Sequence, residues 1–180
     1  MTDTRAALDD VWSADRPRQN AAYDALMAAT AEPVPWAGEV WDEVVAQLSD
    51  PDNHNRAIAA QLLCNLAAHD DGERILGDLN ALMTVTWDER FVTARHTLRS
   101  LWRIGLGGDA QRRAVLDALS RRYADSVAEK NGTLVRNDIV ESLRRLHDAT
   151  GDPAIEPLAR ELIEAEPDLT YRRKYARHWK

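Results

Sequence analysis

Apolar residues recur at steps of three and four along nearly the whole chain, the spacing of one face of an α-helix. Trp41, Val44, Val45 and Leu48 make one such face, Ile58, Leu62, Leu63 and Leu66 another, and Phe91, Ala94, Leu98, Leu101 and Trp102 a third. Further stripes run through Val115, Leu116, Leu119 and Tyr123, through Val135, Ile139, Leu143 and Leu146, and through Tyr171, Tyr175 and Trp179. The one alternating stretch, Met83 to Trp87, follows directly on the Ile75, Leu76, Leu79, Leu82 stripe and predicts a helix end, not a strand. Turn formers joined to N-capping residues interrupt these stripes at Ser49-Asp50-Pro51-Asp52, Trp87-Asp88, Gly107-Gly108-Asp109, Asn131-Gly132, Gly151-Asp152-Pro153 and Glu166-Pro167-Asp168. The pattern predicts an all-α chain of helices about 10 to 18 residues long.

The interruptions group the helices in pairs. Aligned on their apolar positions, the second helices superimpose Leu63-x-x-Leu66, Leu101-x-x-Ile104 and Leu143-x-x-Leu146. The position seven before the first leucine is Arg56, Ala94 and Arg136, and Arg18 and Arg172 stand in the same relation to Ala25 and Trp179. Positions 18, 56, 94, 136 and 172 are spaced by 38, 38, 42 and 36 residues. A repeat of helix pairs at that period implies a solenoid of about five pairs, spanning 1–180 as a single domain.

Two copies of the repeat carry a family resemblance. The segment Gly151-Asp152-Pro153-Ala154-Ile155-Glu156-Pro157-Leu158, followed by Glu166-Pro167-Asp168 and Arg172, resembles a bacterial HEAT repeat, and Asp50-Pro51-Asp52 with Arg56 resembles a second. Repeat 3 departs from the pattern with Ala94 in place of Arg, and repeat 1 has Asp15-Arg16-Pro17 instead of the Asp-Pro turn. The resemblance to the HEAT-repeat, armadillo-like family implies a right-handed superhelix used for scaffolding and macromolecular recognition, with rare enzymes.

A chain of 180 residues buries about 70% of its unfolded surface and needs no covalent staple. Its one cysteine, Cys64, excludes an internal disulfide, and a charged N-terminus without a long apolar run predicts neither a signal peptide nor a membrane span, so a cytoplasmic protein without membrane contact is expected. Charge is uneven. Residues 1–89 hold 5 Lys+Arg against 17 Asp+Glu, a net of −12, and residues 90–180 hold 18 against 13, a net of +5, which sum to −7. The acidity argues against indiscriminate nucleic-acid binding, while the basic half can attract an acidic partner.

Catalytic and metal signatures are weak. His54, His69, His96, His147 and His178 include no i+3 or i+4 pair. His69-Asp70 and His147-Asp148 resemble the repeated His-acid pairs of iron-binding HEAT-repeat hydroxylases, but they are out of register and lack glutamate, so no metal or other cofactor is expected. Trp12, Trp36, Trp41, Trp87, Trp102 and Trp179 could stack on bases, as in HEAT-like alkylpurine DNA glycosylases, yet no Asp stands one turn after any of them. Trp41 and Trp102 fall on apolar stripes and read as core, and Trp36 as a plug between the first two repeats. Gly105-Leu106-Gly107-Gly108 lacks the Lys-Ser/Thr of a phosphate loop and reads as a helix stop. Asp138, in mid-helix, is a candidate buried base or the partner of a nearby arginine such as Arg136.

One polar column stands out. In a helix read over 89–105, Arg95, Arg99 and Arg103 fall at i, i+4 and i+8, a like-charge run that weakens an isolated helix by about 0.2 to 0.5 kcal/mol per pair. The repeat alignment adds Gln61 and Asn65, then Asn137, Glu141 and Arg145, then Arg173 and Arg177. Two readings stay open: a solvated face neutralised by Glu141 and Asp138, or a binding ridge of Arg95, Arg99, Arg103, Arg145, Arg173 and Arg177. The favoured expectation is non-enzymatic binding of an acidic protein or peptide through that ridge, and the alternative is nucleic-acid binding or base repair.

Overall fold

The structure, a computed structural model, describes residues 2–70 and 72–180. Among the described residues there are ten α-helices and no strand: α1 (Thr2–Asp10), α2 (Arg16–Ala29), α3 (Ala37–Gln47), α4 (Asn53–Ala67), α5 (Ile75–Thr84), α6 (Phe91–Leu98), α7 (Asp109–Asp125), α8 (Gly132–Thr150), α9 (Ile155–Ala165) and α10 (Leu169–Tyr175). Short 3-10 segments extend α5 (Val85–Trp87), follow α6 (Leu101–Leu106) and α7 (Ser126–Ala128), and end the chain (Ala176–Trp179).

The ends of these helices follow local chemistry. Asp15, Asp52 and Asp168 are N-caps whose carboxylates accept from the backbone N–H of Arg18, His54 and Thr170. Gly151 closes α8 in the left-handed region at φ 66°, where a side chain would be strained. α3, α5, α7 and α9 touch in that order in one row, and α2, α4, α6, α8 and α10 touch in a second.

Between the rows lies a continuous apolar core. Leu63, Leu66, Leu98, Leu101, Leu143 and Leu146, the leucines expected to meet, are all buried within it, and so is Cys64, whose thiol pKa burial pushes up to about 12. Trp41 is buried with its indole N–H donating to Asp78 Oδ2 at 2.8 Å, and Trp36 packs half-buried against the same core.

Ion pairs, half-exposed at Arg16–Asp52 and largely buried at Arg56–Asp88 and Arg136–Glu166, join successive members of the second row. Arg16 reaches Asp52 at 2.5 Å, Arg56 grips Asp88 at 2.5 and 3.0 Å, and Arg136 reaches Glu166 at 2.7 Å. Repeat 3 has Ala94 where such an arginine would stand, and the structure fills the gap from another helix. Arg122 of α7 lines the cleft beside Ala94, donates to Thr86 Oγ1 and its carbonyl at 3.0 Å, and reaches Glu129 at 2.6 Å. Its guanidinium lies 4.3 Å from the centroid of the Trp87 ring.

Glu166 is buried, a position that on its own would raise its pKa. Hydrogen bonds from Arg136, the Asp168 N–H and the Tyr175 hydroxyl outweigh that and hold the pKa below the ordinary value. Asp88 is held down in the same way by Arg56 and the Arg90 N–H. The unfolded chain therefore takes up protons first as pH falls, so this stabilisation is complete above about pH 4.3 and is lost below it. The urea midpoint should be flat at neutral pH and fall in acid, with a shallower fall in Glu166→Gln. Leu143→Ala should lower stability by about 2 to 5 kcal/mol, measured from the same urea transitions, because it opens a cavity where α8 meets the α6 segment.

Candidate functional site

The arginine column does not sit on one helix. Thr97 and Ser100 turn their hydroxyls back onto the carbonyls of Thr93 and His96, at 3.0 and 2.9 Å, a contact that bends helices. Ser142 of α8 donates to the Leu98 carbonyl at 3.0 Å, so the broken turn keeps a partner. α6 ends at Leu98, and Arg103 follows on the 3-10 segment Leu101–Leu106. That segment lies so close to α8 that a Cβ on Gly105 would meet Leu146 Cδ1 at 2.7 Å.

Arg95, Arg99 and Arg145 gather around two acids. Asp138 is fully buried and accepts two hydrogen bonds from Arg95, at 2.7 and 2.9 Å, with Arg99 Nε 3.9 Å away. Its partners come from α6 and not from Arg136, which is turned to Glu166. Glu141 bridges Arg99 at 3.1 Å and Arg145 at 2.6 Å. Burial would raise the Glu141 pKa, but the Arg99 charge and the Arg145 hydrogen bond bring it below the ordinary value. Three of the six ridge arginines thus have acids of their own. A buried carboxylate with two charge-assisted hydrogen bonds is a structural member, so the base role considered for Asp138 has no support in this geometry.

Arg103 differs. It has no ion pair among the described residues, and its guanidinium lies 4.9 Å from the centroid of the Trp102 ring. Burial pulls its pKa below the ordinary guanidinium value, and the charge of Arg145 adds to the shift. It lines a cavity of about 380 Å³ with Met27, Thr30, Asn65, His69 and Trp102. Arg173 and Arg177 are exposed on α10 and the final 3-10 segment, also without an ion pair among the described residues. Among the described residues no group of three His, Cys, Asp or Glu could hold a metal ion, and no helix is long and apolar enough to cross a membrane.

No protein-family model matches the chain, and no curated protein matches it significantly. Among solved structures the chain is similar to an engineered protein whose crystal structure came from the Northeast Structural Genomics Consortium, 18% identical with a TM-score of 0.55, over 99% of this chain and 95% of that one. At that identity the likeness shows the all-helical fold alone.

The two classes of arginine should respond differently to substitution. Arg99→Glu sets a third acid beside Glu141 and Asp138 and should cost about 1 to 2 kcal/mol, a figure reduced because Arg99 is 46% exposed. Arg103→Gln removes a desolvated charge from beside Arg145 and should leave stability within about 0.5 kcal/mol. Urea midpoints of the two variants check both.

Proposed function

We infer that the chain is a HEAT-like solenoid of five helix pairs wound in a right-handed superhelix, a non-enzymatic cytoplasmic protein that binds an acidic protein or peptide on its second-helix row. Support for the arrangement comes from side-chain bonds that recur at one repeat's separation. Gln19 donates to Asn55 at 2.7 Å, Tyr23 to Gln61 at 2.9 Å, Tyr123 to the Leu162 carbonyl at 2.6 Å and Tyr175 to the Thr133 carbonyl at 2.7 Å. These pairs are 36, 38, 39 and 42 residues apart, matching the spacing of the sequence repeat.

One observation carries the binding reading: Arg103 is a part-buried cation in a cavity wall, beside a second arginine, with no acid of this chain opposite it among the described residues. A buried charge is costly until paired, and the missing partner is an anion from outside. Arg173 and Arg177 add exposed positive charge, whereas Arg95, Arg99 and Arg145 are tied to Asp138 and Glu141, three cations on two acids.

A labelled hexaglutamate peptide tests this reading. It should bind the wild type, and the triple variant Arg103→Gln, Arg173→Gln, Arg177→Gln should bind at least tenfold more weakly in fluorescence anisotropy. No binding at low salt would overturn the reading. Tighter binding of an oligothymidylate, with affinity falling steeply as salt rises, would replace it with nucleic-acid binding.

A further inference from the structure

The cavity at Arg103 has two unlike walls. On one side stand the last turns of α2 and α4, with Met27, Thr30 and Ala31 from the first and Asn65, Ala68 and His69 from the second. Helix C-termini present carbonyl oxygens and the negative end of the helix dipole, so this wall favours hydrogen-bond donors. On the other side stand Arg103 and Trp102.

Two atoms in these walls have no hydrogen bond. Asn65 is 3% exposed and spends its amide nitrogen on Thr30 Oγ1 at 3.0 Å, while its Oδ1 accepts nothing. Trp102 Nε1 is buried and donates to nothing. Buried polar atoms are ordinarily satisfied, and here one acceptor and one donor go without in residues lining the same cavity that holds the unpaired cation.

The complementary ligand carries an anion to face Arg103 and an N–H donor close behind it to face Asn65. An acidic side chain supplies only acceptors. The last residue of a peptide supplies both groups, because its carboxylate and its own amide N–H are separated by a single Cα. About 380 Å³ is within the range of small-ligand sites and holds one or two residues. We propose that this cavity captures the C-terminal carboxylate of a peptide or protein partner, with Arg103 and Trp102 on the carboxylate and Asn65 Oδ1 on the adjoining amide N–H.

The assignment rests on the acidic-partner reading and specifies which end of the partner enters. Two labelled peptides of equal charge separate them: one with five glutamates and a free C-terminal glycine, the other with six glutamates and a C-terminal amide. Wild type should prefer the free C-terminus by about tenfold or more, the scale of a hydrogen-bonded charge. Arg103→Gln should erase the preference while keeping the wild-type urea midpoint, and Arg103→Lys, which keeps the charge without the fork, should restore only part of it. Equal binding of both peptides by the wild type would overturn the terminal site and leave the acidic-partner reading standing. Failure of both to bind would overturn the two together. N-acetylglycine, which has the same carboxylate and amide and little else, should bind at least a hundredfold more weakly than the free-terminus peptide; equal affinity would assign the cavity to a small free acid instead.

Discussion

A helix pair of this length cannot cover its own apolar stripe, so the stability of each pair is set by how it meets the next, and the arginine–acid contacts are what fix that meeting. An apolar interface between helices is tolerant of sliding, because leucines pack against leucines at many offsets. A guanidinium held by two or more directed hydrogen bonds is not. Arg56 on Asp88 and Arg136 on Glu166 each join an arginine near the start of one helix to an acid in the turn ahead of the next. Both acids also accept backbone N–H groups in those turns, from Arg90 and Asp168. One carboxylate thus holds the local turn and the register between pairs, and slipping by a single residue would strand a buried charge, a loss on the order of 3 to 5 kcal/mol for such a pair.

Repeat 3 shows the same constraint met by other means. With Ala94 at the marker position, the link is supplied by Arg122 from the first helix of the next pair, stacked on Trp87 and bonded to Thr86 and Glu129. What persists is the guanidinium in the cleft between pairs, whichever helix delivers it. The substitution leaves α6 without an arginine directed at its own turn, and its arginine at the next position, Arg95, turns to Asp138 on α8.

Much of this is legible in the amino-acid sequence. The caps Asp52 and Asp168, the stop at Gly151 and the leucine core follow from local spacing, because apolar period and capping chemistry act within one or two turns. The arginine column was less legible, since its geometry depends on contacts about forty residues away. A continuous helix over 89–105 presumes that propensity decides, whereas Ser142 on α8 takes the Leu98 carbonyl and the hydroxyls of Thr97 and Ser100 draw the backbone out of α-helical register. Trp102 reads as core from its stripe and is only half-buried, because the break moves it to the rim of the cavity. The only sequence signal for the break was the run of hydroxyl residues at 93, 97 and 100, each four or three before the next turn.

The position of Arg103 explains why a terminal carboxylate suits this chain better than a long acidic tract. Its opposite wall belongs to α2 and α4, inside the half of the chain that carries a net charge of −12, while its neighbour Arg145 belongs to the basic half. α2 and α4 themselves are not acidic, with Arg16, Arg18 and Asp24 on the first and Arg56 on the second, so the acids of that half lie on its other elements. Charges interact strongly only within about 8 Å at physiological salt, so a single carboxylate at a desolvated guanidinium feels its immediate pair far more than the distant acids. Specificity then comes from the local match: a part-buried guanidinium in a cavity wall, without an ion pair among the described residues, suits one carboxylate.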